Sequence, residues 1–275
     1  MTRTLKIGVL ETGLPPEELA PDFGSYPSMV ENWLKPLSAQ YDTEFTFYPV
    51  LSGDIPQDGA QADIWVITGS KFGVYEDHAW IAPLENLIRD AKTKGSLMIG
   101  ICFGHQLIAQ ALGGTVRKSG KGWGVGPHIY DTSAWPDALG DTPASLNLQA
   151  YHQDQVEVLP DGAQTIASSD FCEHAALWYP GFAITVQGHP EFSKGSINFL
   201  EADENALIFV REHDAAAMFV AINMSAKSVT INAADESFIE IASPNVGGVV
   251  SGTHLTLEPY GSYFARRMGG EEMSS

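Results

Sequence analysis

Leu97-Met-Ile-Gly-Ile-Cys-Phe-Gly-His-Gln-Leu-Ile-Ala-Gln-Ala-Leu112 is the stretch that decides the fold. Leu97 to Ile101 is an apolar run of the length expected for a strand buried on both faces. Leu107 to Leu112 carries its apolar residues at helical spacing, and Gly113-Gly114 supplies the stop. Between the two stands Cys102, flanked by Gly100 and Gly104, which let chain segments cross closely around a tight turn. Strand, turn and helix in that order put the cysteine at the carboxyl edge of a sheet, where open α/β sheets bind their ligands.

Outward from this point the same alternation holds to about residue 196. Lys6 to Leu10, Phe45 to Val50 and Ile64 to Thr68 read as strands, and the last two end in loops rich in Gly, Ser or Pro. Ser28 to Leu37, entered after Pro27, places Met29, Val30, Trp33, Leu34 and Leu37 at helical spacing, and His78 to Lys94 reads as a second helix. Val125 to Tyr130, Ala163 to Ser168, Ala175 to Trp178 and Phe182 to Gln187 add further strands. This pattern predicts an α/β fold with a mostly parallel sheet. Beyond Ser196 the texture changes. Ala206 to His213 and Ala217 to Met224 are β-like runs around a polar turn at Asp214, and the chain to Arg267 is rich in Val, Ile, Thr and Gly without a long helical pattern. The expected organisation is an α/β domain over 1–196, a small antiparallel β domain over 197–268 and a disordered polar tail over 269–275.

A thiol attacks strongly only as thiolate, and the turn at Cys102 sits near the positive end of the helix that follows. It still needs a base. His189 with Glu191 two residues later supplies one, because in an extended segment such residues point the same way, so that the carboxylate orients the imidazole while the imidazole faces the thiol. This is the logic of a Cys-His-Glu triad. Attack on an amide carbonyl also needs donors for the oxyanion. Thr68-Gly69-Ser70-Lys71 follows a buried strand, so the Gly69 or Ser70 amide is one candidate, and the Phe103 amide beside the nucleophile is the other. Phe72, Tyr75 and Trp123 are candidates for the pocket wall, with Trp123 equally readable as a core plug. His105 reads as a packing or hydrogen-bonding residue and Cys172 as a structural thiol, each cysteine being expected to stay reduced.

Gly100-Ile-Cys-Phe-Gly-His-Gln106 resembles the nucleophile motif of class I (triad) glutamine amidotransferases, and Gln187-Gly-His-Pro-Glu-Phe192 resembles their His-Pro-Glu motif. Lys121-Gly-Trp-Gly-Val-Gly126 and Tyr151-His-Gln-Asp-Gln-Val156 are similar to a stand-alone branch related to the amidotransferase part of GMP synthase. The resemblance covers about residues 5–195. It implies a flavodoxin-like, doubly wound fold and hydrolysis of glutamine to glutamate and ammonia through a γ-glutamyl thioester, with Cys102, His189 and Glu191 as the triad. It further implies a substrate contact for Gln106 and places His152 and Asp154 near the glutamine site. Members of this branch include γ-glutamyl peptidases, so a γ-glutamyl peptide is an alternative substrate. A binding or scaffold protein that kept the fold and lost the activity is the non-enzymatic alternative. The family usually continues after His-Pro-Glu with helix, whereas Glu204 to His213, Phe219 to Ser225 and Leu257 to Phe264 resemble the small C-terminal β domain of α-amylase-type glycoside hydrolases, without their catalytic barrel.

Composition bounds the partners. With 275 residues, 44% of them hydrophobic, the chain can bury a real core. Fifteen Lys and Arg against 34 Asp and Glu give a net charge of -19, which repels phosphate backbones and argues against nucleic acid as a partner. No apolar run approaches the roughly 18 residues of a membrane helix, and Met1 to Leu10 runs straight into a strand with no signal-peptide pattern, so a cytoplasmic chain without membrane contact is expected. Neither a phosphate-binding nor a dinucleotide fingerprint is present, and the His and carboxylate residues are scattered, so no cofactor and no metal are expected. The expected partners are a small-molecule substrate, glutamine or another γ-glutamyl compound, and a synthase or other ammonia acceptor on a separate chain.

Overall fold

Apolar runs of strand length recur along the first two thirds of the chain, and in the structure, a computed structural model, they line up as one seven-stranded sheet. Residues 4–15, 24–192, 196–202, 206–213, 216–223, 226–232, 238–240, 246–251 and 254–267 are described. The chain divides into two compact units, Met1–Ser193 and Lys194–Ser275.

The first unit runs β1 (Thr4–Glu11), α1 (Tyr26–Leu34), β2 (Asp42–Pro49), β3 (Ile64–Ile67), α2 (Ile81–Lys94), β4 (Leu97–Ile101), α3 (Phe103–Ala111), β5 (Thr115–Lys118), β6 (Gly124–Tyr130), β7 (Leu146–His152), β8 (Asp154–Val158), β9 (Gln164–Ala167), β10 (Ala176–Tyr179) and β11 (Ala183–Val186). The strand order is β2-β1-β3-β4-β11-β10-β9. The first five are mutually parallel, and β10 and β9 close the far edge antiparallel. Because the chain steps outward from β1 to β2 and then returns to the other side of β1 for β3, the sheet is doubly wound, and a crevice opens past the carboxyl ends of β1 and β3. This is the flavodoxin-like arrangement that the family resemblance implies.

Alternation along the strands sorts the core into two layers. Leu10, Trp65, Ile67 and Met98 meet Leu84, Leu87 and Ile88 of α2 and Leu107 and Ile108 of α3. Ile7, Val9, Val66 and Ile101 point the other way, onto Val30 and Leu34 of α1. Each such side chain, fully buried, stabilises the fold by about 1.5–3 kcal/mol.

The element boundaries differ from the sequence reading where proline intervenes. The helix expected over 28–37 begins at Tyr26, capped by the Ser25 hydroxyl, and gives way after Leu34 to a 3-10 turn, Lys35–Ala39. Pro36 cannot donate to the helical ladder and clashes with the preceding turn. The helix expected from His78 begins at Ile81, which leaves Pro83 in the first turn, where its missing N–H costs nothing. Three strands escaped the sequence reading. β5 pairs with β8, and β7 pairs with β6, as two-stranded antiparallel ribbons whose polar residues conceal the alternation.

The second unit is antiparallel throughout: β12 (Ser196–Ala202), β13 (Ala206–His213), β14 (Ala216–Asn223), β15 (Val229–Asn232), β16 (Phe238–Glu240), β17 (Val246–Ser251) and β18 (His254–Arg267). Its order is β12-β13-β14-β18-β15, and β16 and β17 also pair with the long β18. Asn223, 1% exposed, ties β14 to β18 by donating to the Glu258 carbonyl at 2.8 Å. The turn expected at Asp214 and the tail expected over 269–275 lie outside the described residues. Among the described residues no helix is long and apolar enough to cross a membrane.

Candidate active site

β4 delivers Cys102 to the crevice. The Cys102 N–H donates to the Val186 carbonyl at 2.9 Å, and its own carbonyl accepts from Gln106 N–H at 3.1 Å, so one residue ends a strand and opens α3. That junction forces φ 51° and ψ -99° on Cys102, the one non-glycine positive φ among the described residues. Such a backbone costs about 1–3 kcal/mol and persists only where the surroundings over-determine it. Here Gly100 and Gly104 do so. A Cβ on Gly104 would lie 2.4 Å from the Ile67 carbonyl oxygen, and one on Gly100 would lie 2.7 Å from the Gly104 backbone, so the turn closes only with both glycines. The positive end of α3 then faces the thiol.

His189 comes from the segment after β11 and is anchored by its N–H to the Gln149 carbonyl of β7 at 2.8 Å. Its Nδ1 lies 2.8 Å from Glu191 Oε1, with side chains 4% and 1% exposed. The spacing of His189 and Glu191 predicts one face of an extended segment. The structure instead folds Pro190–Phe192 into a 3-10 turn that brings the carboxylate back to the ring. An ionised carboxylate only accepts, so Nδ1 is the donor and Nε2 is left for the thiol. Glu191 Oε2 is buried without a partner among the described residues, so this single hydrogen bond carries the pair. Burial pushes the His189 imidazolium down, but the adjacent Glu191 carboxylate and the Cys102 thiol outweigh it and raise the group above the ordinary histidine range.

Gly69 presses against both groups. A Cβ there would stand 2.9 Å from His189 Cε1 and 3.8 Å from Cys102 Cβ. The Thr12 hydroxyl, from the end of β1, approaches the Thr68 carbonyl at 2.9 Å and the Gly69 carbonyl at 3.3 Å. Because the N–H of a trans peptide points opposite to its carbonyl, the Gly69 and Ser70 N–H groups both turn away from Thr12. The Phe103 N–H is the first of α3.

The remaining sequence candidates divide. Gln106, 3% exposed, commits its amide hydrogens to the Asp154 carbonyl at 2.8 Å and Gln187 Oε1 at 3.1 Å, which leaves only Oε1 to meet a substrate. Asp154 contributes that carbonyl, while its carboxylate accepts from Tyr75 at 2.9 Å. His152 is buried, with Nδ1 3.2 Å from the Asp154 carbonyl, and burial chiefly pulls its pKa down to about 4. Trp123 is 60% exposed and sits 5.5 Å from the Tyr151 ring, so it is not a core plug. His105 is fully buried with Nδ1 2.7 Å from Thr185 Oγ1, and burial, with His152 and His174 nearby, lowers its pKa to about 3. Both cysteines are free; burial pushes the Cys172 thiol up to about 12.

Two residues went unassigned by sequence reasoning. Gln187, 0% exposed, places Nε2 3.8 Å from Cys102 Sγ. The orientation is fixed from outside: a backbone carbonyl can only accept, so Gln106 donates to Asp154, Gln187 must accept from Gln106, and the Gln187 amide hydrogens face sulfur. Its place beside the Gly-His-Pro-Glu motif was the available signal. Tyr26 of α1 lies within electrostatic reach of Cys102, Glu191 and Tyr151, and nothing in its local sequence announces this. No group of three or more His, Cys, Asp or Glu residues is arranged to hold a metal among the described residues.

Residues 40–202 match the family described as Glutamine amidotransferase class-I. The chain is 31% identical over 202 residues to a glutamine amidotransferase-like protein of Schizosaccharomyces pombe, covering 70% of this chain and 81% of that one. It is 30% identical over 179 residues to γ-glutamyl peptidase 4 of Arabidopsis thaliana, covering 62% and 70% of the two chains. A crystal structure of a glutamine amidotransferase from Thermotoga maritima shares the fold, with TM-score 0.56 and 20% identity over 68% of this chain and 76% of that one.

Proposed function

The chain belongs to the class I glutamine amidotransferase family, and from that membership we propose that it hydrolyses the γ-amide of glutamine, or of a γ-glutamyl compound, with Cys102 as nucleophile. The observation that carries this reading is the strained Cys102 turn facing a buried His189–Glu191 pair at 2.8 Å. Cys102 Sγ attacks the γ-carbonyl carbon, and the carbonyl oxygen becomes an oxyanion received by the Phe103 N–H and by that of Gly69 or Ser70. The C–N bond then breaks as His189 gives its proton to the departing nitrogen, leaving a γ-glutamyl thioester. Water loses a proton to His189 and attacks the same carbon. The C–S bond breaks, glutamate leaves, and the site returns to its starting charge. Glu191 holds the imidazole in register and stabilises its positive charge. A synthase or other acceptor on a separate chain would consume the ammonia.

Likeness to an Arabidopsis γ-glutamyl peptidase favours a second substrate on the same machinery, a γ-glutamyl peptide with an amine as leaving group. The test is release of ammonia and glutamate from L-glutamine beside cleavage of a γ-glutamyl dipeptide, with Cys102→Ala as control. The control should lose at least about 10³-fold in kcat while retaining its circular dichroism spectrum. Full activity in Cys102→Ala would sink the assignment.

A further inference from the structure

On the base side of the triad stand two stacks of rings, one on His189 itself and one on β7, the strand whose Gln149 takes the His189 N–H. His189 lies flat on Phe192, with centroids 4.2 Å apart and planes 3° from parallel. Phe192 stacks on Tyr26 at 6.2 Å and 27°. Burial first, and then Cys102, Glu191 and Tyr151, raise the pKa of the Tyr26 hydroxyl to about 12. Tyr151 stands on the β6–β7 ribbon beside Trp123, centroids 5.5 Å apart. His189 is 4% exposed and Phe192 and Tyr26 are half-buried, whereas Tyr151 and Trp123 are 63% and 60% exposed.

The outer pair is held in fixed relation to the base. Gln149 of β7 takes the His189 N–H, and Tyr151 follows two residues later on the same face of the same strand. Val125, opposite Tyr151 in the ribbon, and Ile129 further along are 44% and 71% exposed. Single exposed apolar residues need no explanation, but a contiguous set beside a site does, since each large side chain left in water forgoes about 1.5–3 kcal/mol of burial.

The chemistry says which part of a substrate reaches these rings. His189 protonates the leaving nitrogen, so the leaving group departs on the His189 side. Ammonia carries no carbon that could lie on a ring. We propose that the substrate is an N-substituted γ-glutamyl amide whose amine portion bears an aromatic group, and that Tyr26, Tyr151 and Trp123 receive that group. This rests on the hydrolase reading above and names its substrate class. The C–N bond breaks with transfer of the His189 proton to nitrogen, the thioester forms at Cys102, and water completes hydrolysis to glutamate and the free arylalkylamine, with no oxidant or further co-reactant required.

The test compares kcat/KM of the full chain on L-glutamine, γ-glutamyl-ethylamide and γ-glutamyl-benzylamide, two of them alkylamides that differ by the ring. The benzylamide should be preferred to the ethylamide by at least about tenfold, as expected for aromatic stacking plus burial of a ring. Trp123→Ala and Tyr151→Ala should bring that ratio close to one, whereas Tyr151→Phe, which keeps the ring, should retain it. Both positions are exposed, so folding is not at issue. Cys102-dependent hydrolysis of glutamine or the ethylamide with no ring preference, or variants that lower both amides in proportion, would overturn this inference alone. Absence of Cys102-dependent hydrolysis on all three would take down the hydrolase reading and this inference with it.

Discussion

Three buried histidines around Cys102 pull the protein's response to acid in opposite directions. Burial raises the cost of charging His105 and His152, so their folded pKa values fall to about 3 and about 4 from 6.5, whereas His189, beside Glu191 and Cys102, is raised. A histidine whose folded pKa is lowered takes up protons in the unfolded chain that the native state refuses. Stability contributed by keeping His105 and His152 neutral is therefore level above about pH 6.5 and declines as pH falls from there toward 4. His189 acts in the other direction: its contribution is present below the unfolded value and is lost as pH rises through the raised one. His105→Asn, which keeps a donor or acceptor near Thr185 and removes the titration, should flatten the acid decline. Urea midpoints measured from pH 8 to 4 check this; an unchanged slope would show that other groups set it. The same residue scale explains what sequence reading could assign. Cys102, His189 and Glu191 announce themselves by chemical type and by motif. Gln187 and Tyr26 do not, because an amide or a phenol gains its role only from what it is packed against.

Elements explain why the thiol stands where it does. β4, the turn and α3 form a hairpin of strand and helix so tight that Gly104 lies against the Ile67 carbonyl of β3. Gly104→Ala puts a methyl 2.4 Å from that oxygen and 2.7 Å from Ile67 Cβ, against backbone that cannot rotate away. The variant should lose about 3 kcal/mol of stability, at the upper end of overpacking effects, and most of its activity, because relief requires α3 and Cys102 to shift. Chemical denaturation with a parallel assay reads both; wild-type stability in this variant would mean that the crossing is looser than the geometry states. This element was legible in the sequence because all its signals fall within twenty residues: an apolar run, paired glycines and a helical repeat. The ribbon strands β5, β7 and β8 were not, since a short strand exposed on one side and carrying Arg and Lys, or Gln, Asn and Asp, looks like loop until its partner is known.

At the scale of the molecule, each unit is built on a seven-stranded sheet of its own. Each sheet has its own hydrogen-bond ladder, so heat should melt them as distinguishable events, giving two calorimetric transitions or a van't Hoff enthalpy below the calorimetric one. A single transition with equal enthalpies would show them to be energetically one. Legible in the sequence alone were the α/β character of the first unit, the β-rich texture of the later chain, and the motifs that hold Cys102, His189 and Glu191. Those follow from periodicity and motif, which are properties of short stretches. It took the packed fold to bring Gly69 against His189, to let the Asp154 carbonyl orient Gln106 and through it Gln187, and to stack Tyr26 on Phe192 and Tyr151 beside Trp123. Gly69 and His189 are 120 positions apart and Tyr26 and Phe192 are 166 apart, and no local pattern encodes such contacts. They exist because strand pairing closes long loops and the packed sheet leaves each side chain one place to go.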